Sequence, residues 1–122
     1  MIEHLSGFPE DVLAFVFQGK VTKADYDTVF LPTVVDALGT NRKLRLYYET
    51  AADFKGIDVG GIWEDFAFGM EHATRWDRVA VVTDVEWMKQ ATRLFGVILP
   101  GNVRMFPTSN AGAARAWIAA IA

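Results

Sequence analysis

Between residues 78 and 95 the chain changes its hydrophobic period, and the rest of the sequence can be read outward from that change. Val79, Ala80, Val81 and Val82 form an unbroken apolar run that ends at Thr83-Asp84, and an amphipathic segment opens directly behind it. A short run rich in β-branched residues is the pattern of a strand buried on both faces, and the new period behind it is that of a helix. The stretch reads as strand, turn, helix, which is half of a βαβ unit.

The same device recurs along the chain. Residues 2–6 make a short edge strand that ends in the turn signals of Gly7, Pro9 and Asp11. In residues 11–21 alternation sends Leu13, Phe15 and Phe17 to one face and Val12, Ala14 and Val16 to the other, which predicts a central strand. Thr22 can cap a helix with Asp25 as its third-position partner. Tyr26, Val29, Phe30, Thr33, Val34, Ala37 and Leu38 then recur at spacings of three and four, the signature of one buried helical face. Pro32 removes the bond to the carbonyl of Thr28, so a kink is expected there, with Gly39 as the stop.

Residues 43–50 alternate, with Leu44, Leu46 and Tyr48 inward and Lys43, Arg45, Tyr47 and Glu49 outward. That predicts one half-wet face and helices mainly on one side of the sheet. Residues 51–59 have no period and, with Gly56, Gly60 and Gly61, read as the most flexible stretch. A helix over 61–76 follows, with Ile62, Phe66, Met70 and Ala73 on one side. Beyond the 79–83 strand come a short helix over 87–95, an apolar loop over 96–101 and a last strand over 102–107. Ser109-Asn110 then caps a closing helix, 111–121, whose Ala113, Trp117, Ile118 and Ile121 face the core. The order is β-β-α-β-α-β-α-β-α, with right-handed parallel crossovers.

Composition narrows the function classes. A chain of 122 residues fits one domain, residues 1–122, that buries about two thirds of its unfolded surface. No apolar run approaches the roughly 18 residues of a membrane span, and the basic start of a signal peptide is absent, so a cytoplasmic protein is expected. The absence of cysteine excludes disulfides, thiolate metal sites and cysteine nucleophiles. A net charge of −3 argues against a nucleic-acid partner.

Chemistry-bearing residues are sparse. His4 and His72 have no second histidine at ligand spacing, which speaks against a metal site. Ser6 and Ser109, the two serines, lie in no nucleophile elbow. Glu49, Asp53, Asp65, Asp84 and Glu86 lie near strand ends, where they could gather as an acid/base pair but where carboxylates more commonly serve as caps and dipole partners. No enzyme and no cofactor is therefore expected. The glycines at 56, 60 and 61 could present amides to an anion, or they form a plain connection. Trp63 and Trp87 each open a helix just beyond a strand end, where they either pack in the core or wall an apolar mouth with Phe54, Ile57, Phe66 and Met88.

Trp63-Glu64-Asp65-Phe66, Arg78-Val79-Ala80-Val81-Val82, Trp87-Met88-Lys89, Val103-Arg104-Met105-Phe106 and Ala116-Trp117, preceded by Pro32 and by Leu44-Arg45-Leu46 with Glu49, resemble the SpoIIAA-like proteins of the STAS/Sec14-type (CRAL-TRIO-like) group. The resemblance spans nearly the whole chain and rests on the order of these motifs. It implies an α/β fold, a right-handed β-α superhelix: a mainly parallel five-stranded sheet in sequential order, an antiparallel N-terminal edge strand and four helices. Anti-sigma-factor antagonists and lipid-carrying Sec14-like domains share that fold.

Two functions follow as expectations. In the first, a non-enzymatic domain takes a small hydrophobic or lipid-like ligand at the carboxyl ends of the strands, lined by Glu49, Asp53, Phe54, Ile57, Trp63, Phe66, Asp84, Trp87 and Met88. Trp87, Lys89 and Arg93 would then touch anionic headgroups at the inner face of the membrane. In the second, the chain is a regulatory module with a protein partner, as in the anti-sigma antagonists, whose phosphorylated serine opens the helix after the third strand. The matching stretch 50–61 has no serine, and Thr50 is its one hydroxyl residue, which makes it the phosphorylation candidate. Association as a homodimer is compatible with either.

Overall fold

In a computed structural model the described residues are 1–40, 43–57, 76–98 and 102–120. Five strands, β1 (Ile2–Leu5), β2 (Val12–Phe17), β4 (Leu44–Thr50), β6 (Trp76–Val82) and β7 (Asn102–Phe106), form one sheet in sequential spatial order. β1 pairs antiparallel with β2, and the other neighbours are parallel. The fold class read from the sequence is the one observed. A second, two-stranded parallel sheet joins β3 (Lys20–Val21) to β5 (Gly56–Ile57).

The strand expected over 11–21 is therefore two strands. Gly19, at a φ of +55°, turns the chain between them, a conformation that glycine adopts without the clash a Cβ brings. The expected kink also takes a definite form. Helix α1 (Lys23–Asp25), capped by Thr22 and Asp25 in reciprocal hydrogen bonds, passes into a π-helical turn (Tyr26–Phe30) and then α2 (Leu31–Thr40). The Leu31 amide reaches back to the Tyr26 carbonyl. Pro32 can offer Thr28 no amide, so the wider turn falls just ahead of the proline.

Two hydrophobic layers flank the sheet. On the front, Leu13, Phe15, Phe17, Leu44, Tyr48, Val79 and Val81 pack against Tyr26, Phe30 and Val34 and against Met88 of α3 (Glu86–Ile98). On the back, Val12, Ala14, Tyr47, Ala80 and Val82 meet Ala114 and Ile118 of α4 (Ala111–Ala119). Among the described helices α2 and α3 lie on the front and α4 on the back. Arg45 is only 8% exposed and Tyr47 is fully buried, so the face of β4 read as half wet is covered. Arg45 tolerates burial because Asp11 takes its Nε and Nη2 at 3.1 and 2.8 Å, while Nη1 donates to the carbonyls of Ile118 and Ala120. The last turn of α4 thereby gains donors for carbonyls that no further helical turn supplies.

Other boundaries shift. Trp76, expected to end a helix, opens β6 and is buried beside an irregularity in the β4–β6 register. The rest of that expected helix, 61–75, lies outside the described residues. α3 continues through Gly96 to Ile98, beyond the expected 87–95, so part of the anticipated apolar loop is helical. In α4 the buried alanine is Ala114 while Ala113 is exposed, a step of one position. Trp117 is half-buried, and Ile121 lies outside the described residues.

Candidate functional site

The carboxyl ends of β4 and β6 are tied to each other. Thr50 Oγ1 donates to Thr83 Oγ1 at 2.9 Å, and the same Thr83 oxygen accepts the Val85 amide at 3.1 Å and lies 3.8 Å from Met88 Sδ. Thr50 is 3% exposed, so the hydroxyl singled out for phosphorylation is enclosed and already bonded. Met88 is 5% exposed and belongs to the front core rather than to a mouth.

The loop expected to be most flexible is anchored over its described part. The Ala51 amide donates to the Phe17 carbonyl at 2.9 Å, the Lys55 amide to the Gly19 carbonyl at 2.8 Å, and Asp53 Oδ1 accepts the Gly19 amide at 3.3 Å. With the β3–β5 pairing these bonds place Phe54 and Ile57, both half-buried, against the front core. Residues 58–61 lie outside the described residues, as do Trp63 and Phe66.

The rim carboxylates serve separate local roles. Asp53 holds Gly19. Asp84 accepts both the amide and the hydroxyl of Thr108, bonds that keep its carboxyl below the ordinary value and pin the start of a 3-10 turn (Thr108–Asn110) to the end of β6. Glu49 accepts the Tyr47 hydroxyl on the α4 face of the sheet, the opposite side from Met88. Burial first, and the Glu49 hydrogen bond second, push the Tyr47 phenol up to about 12. Among the described residues no three His, Asp or Glu side chains gather as metal ligands would.

Of the four exposed large apolar side chains among the described residues, Met1, Val35, Trp87 and Leu94, two share one stripe of α3. Trp87 is 43% exposed and Leu94 59%, and Ala91 between them is also exposed. Spacings of four and three at about 100° per residue put all three on one line of the helix, while Met88 and half-buried Thr92 take the inner side. Phe54 extends the line at the strand ends, its ring 6.5 Å from that of Trp87. The rim carries both signs: Glu86 and Lys89 lie 4.0 Å apart, and Arg93 is exposed beside Leu94. Trp87, Lys89 and Arg93 were legible as surface candidates, whereas Leu94 was missed, although its spacing from Trp87 was the signal.

The sequence matches a family model described as SpoIIAA-like over residues 12–119, a span that takes in every strand of the five-stranded sheet except β1. The chain belongs to the SpoIIAA-like family. The crystal structure of an uncharacterized protein of the DUF3478 family with a SpoIIAA-like fold, from Shewanella loihica PV-4, is similar at 24% identity and a TM-score of 0.72, covering 97% of this chain and 92% of that one. At that identity it speaks for the fold alone. No curated protein matches this SpoIIAA-like chain. Among its described residues no helix is long and apolar enough to cross a membrane.

Proposed function

We propose that this protein is a non-catalytic interaction module that docks an amphipathic helix of a partner protein on the Trp87–Ala91–Leu94 stripe of α3. The observation that carries the reading is the contrast along one helix: Met88 is sealed in the core while Trp87 and Leu94 stand in solvent. Covering each of those two side chains is worth about 2 kcal/mol, enough for a specific but reversible contact. The mixed rim of Glu86, Lys89 and Arg93 suits the charged flanks of a partner helix. A helix that lies in a bilayer carries a more uniformly basic polar face, so the rim favours protein over membrane. This agrees with the regulatory branch of the STAS/Sec14-type group that the sequence resembles.

A second reading has one observation of its own. The Phe54–Trp87 ring pair at the strand ends is a surface on which a small hydrophobic or lipid-like ligand can lie. The test is a photo-crosslinking residue, p-benzoylphenylalanine, in place of Leu94 in the cells the protein comes from, with the same residue at exposed Asp36 as control. A discrete protein adduct at 94 and none at 36 supports docking. An adduct of small-molecule or lipid mass transfers the site to the second reading, and equal labelling at both positions overturns both.

A further inference from the structure

A separate surface lies at the far edge of the sheet. Among the described residues β7 pairs with β6 alone and closes the sheet on the side away from β1. The Thr83 amide donates to the Phe106 carbonyl at 3.0 Å, which fixes the direction of the backbone groups. Direction alternates along a strand, so Phe106 and Arg104 face β6, and Val103 and Met105 turn their N–H and C=O groups to the open side. An open edge of this kind is a template for another strand.

Arg104 stands at that edge on the α4 face and is exposed. Its guanidinium carbon lies 5.4 Å from the centroid of the Trp117 ring and 5.7 Å from that of Phe106. Neighbouring arginines on this face are committed: Arg45 to Asp11 and to α4, and Arg78 to the carbonyls of Trp117 and Ala120 at 3.0 Å. Arg104 donates to nothing among the described residues. A guanidinium resting over aromatic rings loses little freedom when it binds, and its edge matches a carboxylate in two parallel hydrogen bonds. One pairing with a second copy is disfavoured. An antiparallel register that pairs Val103 with Met105 sets one Arg104 directly opposite the other.

We propose that the open edge of β7 and Arg104 together take an extended acidic segment of a partner protein, which adds as a further strand and places an Asp or Glu carboxylate on the Arg104 guanidinium. This surface is independent of the α3 stripe.

The test is an NMR titration of the 15N-labelled protein with acetyl-Thr-Val-Glu-Val-Thr-amide at millimolar concentration, repeated with Gln in place of Glu. The Glu peptide should shift the Val103 and Met105 amides and protect them from exchange, while the amides of Arg104 and Phe106, already bonded to β6, change little. The Gln peptide should bind about tenfold more weakly. R104Q should bring the Glu peptide down to the Gln level, and W87A should change neither. The proposal is overturned by an absence of β7 shifts at millimolar peptide or by equal affinity of the two peptides. It is also overturned by shifts confined to α3 that vanish in W87A, or by a concentration-dependent shift of Val103 and Met105 without peptide, which would assign the edge to a second copy.

Discussion

Arg45 Nη1 lies 2.6 Å from the carbonyl oxygen of Ile118, so the central strand of the sheet holds the end of the last helix. The same guanidinium reaches Asp11 through two nitrogens and thereby ties the entry of β2 to the exit of α4. Three segments remote in sequence share one planar cation, and the back layer depends on it.

Arg45→Met should therefore cost about 2–3 kcal/mol, because it removes a charged donor from enclosed carbonyls and leaves Asp11 without its partner. Urea unfolding measures the loss, and hydrogen exchange should show it first in α4. Arg45→Lys should recover only part, since an ammonium cannot serve Asp11 and two carbonyls in the geometry of a guanidinium.

Acid should act through the same pair. The Arg45 hydrogen bond holds the Asp11 carboxyl below its ordinary value of 3.8, against the opposing effect of burial. A lowered folded value contributes stability that is present above 3.8 and lost as pH falls through the folded pKa. Asp11 keeps 42% of its side chain exposed, so solvent screens the pair and the contribution is modest. Asp11→Asn should be the less stable protein at neutral pH, and its melting temperature should converge with that of the parent as the pH is taken below the folded value. Parallel curves through the acid range would contradict this.

Base should act through Tyr47. Its phenol is raised from 10.0 to about 12, so the proton is held more tightly in the folded state. The corresponding stability is present below 10.0 and lost as pH rises toward about 12. Tyrosinate absorbance should show a late component near 12 that Tyr47→Phe removes.

The parts of the fold legible in the sequence were those whose partners are local or periodic. Val79 to Val82 announced a strand buried on both faces, and Tyr26, Phe30 and Val34 announced a helix face, because period alone encodes burial. The back of β4 was misread because Arg45 and Tyr47 look polar until Asp11 and α4 are in place, and sequence spacing does not reveal partners that distant. Trp76 was misread because its place in β6 is decided across the sheet, opposite Leu44. At the candidate site, the position of Trp87 at the start of a helix left core and surface both open, and the structure exposes it. Its neighbour Met88, about 100° around the same helix, belongs to the core, a distinction that required the true orientation of α3.

The central claim is that Trp87 and Leu94 serve a partner and not the fold. The most direct measurement compares the double variant Trp87→Ala, Leu94→Ser with Met88→Ala in two readouts: thermal melting, and crosslinking from p-benzoylphenylalanine placed at Gln90 on the same exposed side. The double variant should melt close to the parent while its protein adduct disappears, and Met88→Ala should lose about 2–5 kcal/mol of stability from a cavity in the core. A double variant that melts as low as Met88→Ala, or one that keeps the adduct at full yield, would contradict the account.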